Sequence, residues 1–375
     1  MNKKLYLESI NMIIDRVEHT LETSPIGFPH YADQQTGKWT FTSNGDWTGG
    51  YWVGMLWLAY QITKNKKFKN EAKKLSFKLE SRMYDDTVFR GMLFYYSSSL
   101  GSILNENDDL KKLGLNAANE FAKSFDRIAK VFPLGETAEE TIVGRSETNI
   151  DTLMCTPLLW WSGKLHNNVD HYKLALDHAY TLINYCVRND GSICQSASFN
   201  ETNGKLVKRY THKGFSETSC WSRGQAWGML GYIFAYIYTK EKKFLEIAIQ
   251  TSDYFINRLP KDNIPFYDFD DPNIPNVEKD TSAATIAAAA LIKIHKYGFK
   301  SSQNTIYKET AENILESLID NYLTPINKED FRPFGILTDS CYNRNIKLAT
   351  NNELIWGSYY FLESLCELTN IVNII

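Results

Sequence analysis

GYWVGMLWLAYQI at residues 50–62 is apolar nearly all round, and FKNEAKKLSFKLESRM at residues 68–83 is not. In the second stretch Phe68, Ala72, Leu75, Leu79 and Met83 recur at helical spacing and the other positions are mostly polar. That pattern predicts a helix with one wet face, whereas the first stretch predicts a helix covered on both sides. The alternation repeats along the chain. Residues 66–83, 168–188, 241–258 and 302–322 are charged and amphipathic. IDTLMCTPLLWWSG (150–163), WSRGQAWGMLGYIFAYIY (221–238) and TSAATIAAAALIKIH (281–295) are apolar throughout.

Outer helices of a double ring need one wet face, and inner helices need none. Reading the periodicity onward predicts about twelve helices, starting near residues 4, 50, 66, 92, 109, 149, 168, 220, 241, 282, 302 and 352. The expected fold is all-α, six helical hairpins closed into an (α/α)6 barrel. No Pro/Gly-rich linker divides residues 1–375, so a single domain is expected.

The net charge of -3 comes from 41 basic and 44 acidic residues scattered along the chain. That argues against a nucleic-acid partner or a polybasic membrane anchor. No apolar run approaches membrane-spanning length, and the charged start MNKKLYLESINMIIDRVEH has no signal-peptide core. Six scattered cysteines without a CxxC pair favour reduced thiols over disulfides or zinc, and nothing calls for a metal or another cofactor. A cytoplasmic protein fits. Aromatic residues make up 14% of the chain, with nine Trp and 22 Tyr, more than a core alone requires and suited to a carbohydrate cleft.

Polar loops run into the apolar helices at SNGDWTGGYW, VGRSETNID, YTHKGFSETSCWSRGQ, PFYDFDDPNIPNVEKDTSA and LATNNELIWGSYYF, and should gather at one barrel end. Asp280 or Thr281, and Asn351 or Asn352, read as helix N-caps. In TSCWSRGQAWGM (218–229), helical geometry puts Trp221 and Gln225 on one stripe and Arg223 and Trp227 on another. Indole rings beside a guanidinium and an amide match the apolar faces and hydroxyl rim of a sugar; core tryptophans under a snorkelling arginine are the plainer alternative. The tryptophans of GDWTGGYW, Trp47 and Trp52, are expected to converge with Trp221 and Trp227 on one pocket. Asp151 opens an otherwise apolar helix. Burial there would keep a carboxyl protonated for acid catalysis, while a place at the helix N-terminus would stabilise the carboxylate instead.

GDWTGGYWVGMLWLAYQIT, IDTLMCTPLLWWSG, CWSRGQAWGMLGY, PFYDFDDPNIPNVEKDTSAATIAAAAL and NNELIWGSYYFLESL occur in an order that resembles the unsaturated glucuronyl hydrolases, glycoside hydrolase family 88. More distantly it is similar to the unsaturated rhamnogalacturonyl hydrolases. The resemblance spans roughly residues 30–368 and implies an (α/α)6 barrel acting on oligosaccharides with a non-reducing-end 4,5-unsaturated uronic acid. It implies that Asp151 protonates C4 of the enol ether while water adds at C5. Substrate binding is then expected from Trp47, Trp52, Trp221, Arg223, Gln225, Trp227 and Trp356, with the planar fork of Arg223 suited to a uronate carboxylate.

The sequence departs from the family at three places. Where the family carries His-Asp-x-Gly-Phe, with a second essential aspartate, this chain reads Val88, Phe89 and Arg90 before Gly91. Gln195 replaces a histidine, and Lys213 follows His212 where a glutamine is usual. Arg90, Gln195, His212 and Lys213 are therefore expected at the substrate. Cations at Arg90 and Lys213 would oppose protonation of Asp151 and favour a more anionic oligosaccharide. Two further readings stay open: a sugar-binding protein without catalysis, and an isomerase or epimerase on the same barrel.

Overall fold

The computed structural model describes residues 2–23, 27–138, 146–298 and 304–373. Its outer helices are α1 (Lys3–Thr23), α3 (Lys66–Lys78), α6 (Asp108–Ala122), α8 (Val169–Cys186), α10 (Lys242–Ile256) and α12 (Asn304–Asn321). The inner ring comprises α2 (Gly49–Thr63), α4 (Arg90–Phe94) continuing through a π turn into α5 (Leu100–Asn105), α7 (Pro157–His166), α9 (Ser222–Thr239), α11 (Thr281–Tyr297) and α13 (Ile355–Thr369). Each inner helix packs on the next, and α13 closes on α2. This is an (α/α)6 barrel.

The two helix kinds occupy the two rings as their side chains demand. Every residue of α11 from Thr281 to Ile294 is buried, and its alanines let α9 and α13 lie close on either side. In α3, by contrast, Phe68, Ala72, Leu75 and Ser76 are the buried residues and the lysines face out. One apolar core runs through both rings. Within the π turn Tyr95–Ser99 the Ser97 carbonyl accepts the Trp57 indole N–H at 2.7 Å.

Two small sheets at the mouth of the barrel are absent from the all-helical expectation. β1 (Phe28–Asp33) lies between β2 (Trp39–Thr42) and β6 (Asn352–Leu354), and β4 (Ser196–Phe199) between β3 (Glu147–Asn149) and β5 (Leu206–Tyr210). They delay two helices. The segment expected to turn helical near residue 149 first forms β3 and a 3-10 turn, Ile150–Cys155, and the one expected near 352 first forms β6. Asn352 is consequently no cap; its side chain donates to the Ala32 carbonyl at 2.9 Å, and Leu354 holds the cap position of α13. Asp280 does cap α11, accepting from Ser282 N and Ala283 N. Among the described residues no helix is long and apolar enough to cross a membrane.

Candidate active site

Asp151 is held by backbone on both sides. β3 pairs antiparallel with β4, and the ladder continues as Ile150 N–H donates to the Gln195 carbonyl at 2.8 Å. The 3-10 turn that follows is capped by Asn149, whose side chain accepts from Thr152 N. Capping is therefore the work of Asn149, and Asp151, 7% exposed, lines a cavity instead. Behind it the Thr152 hydroxyl bonds the Asn149 carbonyl at 2.6 Å and lies 2.9 Å from His178 Nε2. The opening part of the VGRSETNID loop, residues 143–145, lies outside the described residues.

That cavity is lined by Trp47, Phe89, Met92, Asp151, Lys213, Trp221, Arg223 and Trp227. Its wall is drawn in by Gly91, where a Cβ would stand 2.4 Å from the Cβ of Cys155. With no side chain there, the start of α4 meets the Asp151 turn, and Phe89 and Met92 reach the carboxylate's cavity. Trp47 donates its indole N–H to the Tyr342 hydroxyl at 3.0 Å and packs against Trp356, ring centroids 4.7 Å apart.

Trp221 carries two cations over its ring, Arg223 at 4.5 Å and Lys213 at 5.2 Å. Arg223 is 1% exposed. Its guanidinium donates to the Asp280 carboxylate, to the carbonyls of Cys341 (2.6 Å) and Tyr342, and to Ser282 Oγ (3.4 Å). Burial is the largest single influence and works against its charge, but Asp280 and smaller contributions from Tyr267, Cys341 and Asp151 together outweigh it, and the pKa is raised. Lys213 is 3% exposed, and its ammonium also lies 5.0 Å from the Tyr342 ring centroid. Its backbone N–H donates to Gln195 Oε1 at 2.9 Å.

Several expected contacts fall elsewhere. Arg90 points away from the cavity: its guanidinium donates to the carbonyls of Met83 (3.0 Å), Asp85 (2.6 Å) and Glu120 (3.4 Å) and ties the turn before α4 to α6. Trp52 faces the outer groove with Leu21 and Leu75, because alternate faces of α2 look in and out. Gln225 is structural; it accepts from Ile193 N (2.7 Å) and donates to the carbonyls of Gly191 and Thr251 (both 2.8 Å). Trp356 stands one layer behind, against Trp47. Gln195 and His212 do not line the cavity but brace the turn that delivers Lys213, with His212 Nδ1 2.8 Å from Ser196 Oγ. The Arg223 fork, expected to take a carboxylate from the substrate, is already engaged by Asp280.

Residues not expected at the substrate complete the site. Met92 and Phe89 form the wall facing Asp151, and Phe89 stands where the resembled family has its second aspartate. Tyr342 links Trp47 to Lys213. His30, Nδ1 2.8 Å from Thr48 Oγ1, packs edge-on against Trp47, Tyr342 and Trp356. Burial lowers the His30 pKa; Asp46 opposes this and Lys213 adds to it. Among the described residues lining the cavity, Asp151 is the one carboxylate. Those described residues do not build the usual glycosidase pair, two carboxylates about 5–9.5 Å apart across the bond. Among the described residues no group of His, Cys, Asp and Glu could hold a metal.

Barrel, aromatic walls and a buried carboxyl define a carbohydrate-active protein of the (α/α)6 class. No family model matches the chain. It is 29% identical over 347 residues to an unsaturated glucuronyl hydrolase of Bacillus sp. strain GL1, covering 91% of this chain and 90% of that protein. With an unsaturated chondroitin disaccharide hydrolase of Streptococcus pneumoniae the identity is 28% over 368 residues, 96% of this chain and 90% of the other. The structure superimposes on a crystal structure of an unsaturated glucuronyl hydrolase specific for heparin with a TM-score of 0.89 at 28% identity, covering 99% and 98% of the two chains. This chain is a divergent relative of the unsaturated glucuronyl hydrolases, in keeping with glycoside hydrolase family 88.

Proposed function

We propose that this chain is a glycoside hydrolase that removes a 4,5-unsaturated uronic acid from the non-reducing end of an anionic oligosaccharide, with Asp151 as its acid. The observation that carries the reading is the buried Asp151 carboxyl, single among the described lining residues, facing aromatic walls in one cavity. Hydration of an enol ether needs only one such group. The acid form of Asp151 gives its proton to C4, and the ring oxygen stabilises the cation left at C5. Water adds at C5 and returns a proton to the Asp151 carboxylate. The hemiketal then opens at the C5–O5 bond to a ketone, leaving C1 as a hemiacetal that expels the neighbouring sugar. One carboxyl thus serves both proton transfers, which is how a site with Phe89 in place of a second aspartate can turn over. Six buried free thiols fit a reducing compartment, and we place the enzyme in the cytoplasm, as one domain.

The test is loss of the enol-ether absorbance on mixing the protein with unsaturated glycosaminoglycan disaccharides. Turnover by the parent and none by Asp151→Asn is the expected result. Tight binding with intact ligand recovered would instead favour a sugar-binding protein.

A further inference from the structure

We infer that Tyr51 is a positioning residue of the site: it fixes Met92 and Trp47, which face the cavity, and so sets where the terminal ring lies relative to Asp151; this rests on the uronide reading above. Tyr51 is buried in α2, behind those two lining residues. Its hydroxyl donates to Met92 Sδ at 3.4 Å, and its ring stands edge-on to Trp47, centroids 6.3 Å apart at 89°. A methionine side chain turns about three bonds and adapts to whatever it meets. A wall that must hold a reacting ring in one place needs that freedom removed, and the Tyr51 hydroxyl at the sulfur removes it.

Tyr51 is itself anchored from two other inner elements. The Tyr360 hydroxyl donates to that of Tyr51 at 3.4 Å, and the Tyr96 and Tyr360 hydroxyl oxygens lie 2.5 Å apart. A phenol has one hydrogen to give, so Tyr96 is the donor to Tyr360, and the bonds run one way from Tyr96 through Tyr360 and Tyr51 to Met92. The rings pack along with them, the Tyr51 centroid lying 4.5 Å from that of Tyr96 and 5.5 Å from that of Tyr360. Two glycines of α2 bring the helices together at this point. A Cβ on Gly50 would stand 2.7 Å from the Leu93 carbonyl oxygen of α4, and one on Gly54 would stand 2.6 Å from the Tyr359 ring of α13. Burial pushes the Tyr51 pKa well above the usual phenol value, so the hydroxyl keeps the proton it gives to sulfur.

The experiment compares Tyr51→Phe, Met92→Leu and the double variant in turnover of an unsaturated chondroitin disaccharide. Displacing a bound ring by about 1 Å can cost about 100-fold in rate. Each single variant should lower kcat by about 10- to 100-fold and leave KM within about 3-fold of the parent. The double variant should be no slower than the slower single, because both changes remove one contact. A second readout needs no turnover: NMR of methyl-labelled methionine, with Met92 assigned by its absence in Met92→Leu. The Met92 methyl signal should shift when the disaccharide is added, and Tyr51→Phe should move it toward the rotamer-averaged position. A kcat within about 2-fold of the parent in Tyr51→Phe, losses that multiply in the double variant, or a loss confined to KM would each overturn the assignment. So would a Met92 methyl unmoved by the disaccharide or by Tyr51→Phe, or a Tyr51→Phe protein that fails to fold. If the parent turns over no unsaturated uronide yet the Met92 methyl still answers both, the hydration reading fails and the assignment of Tyr51 stands.

Discussion

The Arg223 guanidinium bonds the Asp280 carboxylate, and that same carboxylate caps α11. One buried acid therefore joins the starts of two neighbouring inner helices, α9 and α11, and fixes the wall on which Trp221 lies.

Asp280→Asn should be strongly destabilising, because it leaves the Arg223 charge buried without its partner. The expected loss is about 3–5 kcal/mol in urea unfolding. Adding Arg223→Met to Asp280→Asn should cost less than the sum of the two single changes, as coupled partners do. A single-variant loss under about 1 kcal/mol would show that the carbonyls of Cys341 and Tyr342 hold the guanidinium unaided.

Gln225 belongs to the frame and not to the ligand. Gln225→Ala would strand Ile193 N–H and the carbonyls of Gly191 and Thr251, at about 1–3 kcal/mol for each buried group that finds no water. Chemical denaturation should show a loss of at least about 2 kcal/mol, with ligand affinity of the folded fraction unchanged. A large affinity loss with intact stability would return Gln225 to the substrate.

His178 makes stability fall in mild acid. Its Nδ1 accepts the Phe132 N–H at 3.1 Å, so Nε2 carries the proton and donates to Thr152 Oγ1. Burial pushes the pKa of this imidazole down to about 3. The unfolded chain takes up that proton near pH 6.5. Between about 6.5 and 3 the unfolded state thus binds one proton more, and stability drops as pH falls through that window. The slope from this residue is about 1.4 kcal/mol per pH unit. Urea unfolding from pH 7 to 5 should lose about one proton of linkage in His178→Gln, and an imidazole that titrates in the folded protein above pH 5 would refute the account.

Apolar periodicity was enough to read the barrel, because rings of dry and wet helices leave a mark at every turn. The mouth was less legible. β3 and β6 are three residues each, too short for alternation to register, and they displaced two helix starts. Asp151, Trp47, Lys213, Trp221, Arg223 and Trp227 could be named as candidates for the cavity they line, but not what each one bonds. Whether an arginine meets a ligand or a helix-capping aspartate 57 residues away is decided by packing of two helices, and no local pattern encodes it. Arg90 shows the converse: next to Gly91 it looked like a site cation, yet backbone carbonyls of the preceding turn capture it. Tyr342 and His30 carried no signal at all, since their roles arise from loops that meet only in the folded protein.

Phe89 and Asp151 line one cavity, which makes the wall testable by charge. Phe89→Asp would add a second carboxyl to the cavity that Asp151 lines. Two carboxyls sharing a site cannot both ionise freely, so whichever loses its proton first holds the other in its acid form. If Asp151 is the acid, activity should persist to higher pH: the limb at which turnover falls moves up by on the order of one unit. Phe89→Asn, similar in size to Phe89→Asp but uncharged, should leave the limb in place and serves as the control for disturbed packing. Stability should drop by about 1–3 kcal/mol in both, since each buries a polar group beside Trp47 and Met92. A limb shifted equally by both variants would assign the effect to packing, and a limb shifted by neither would place the titrating acid somewhere other than Asp151.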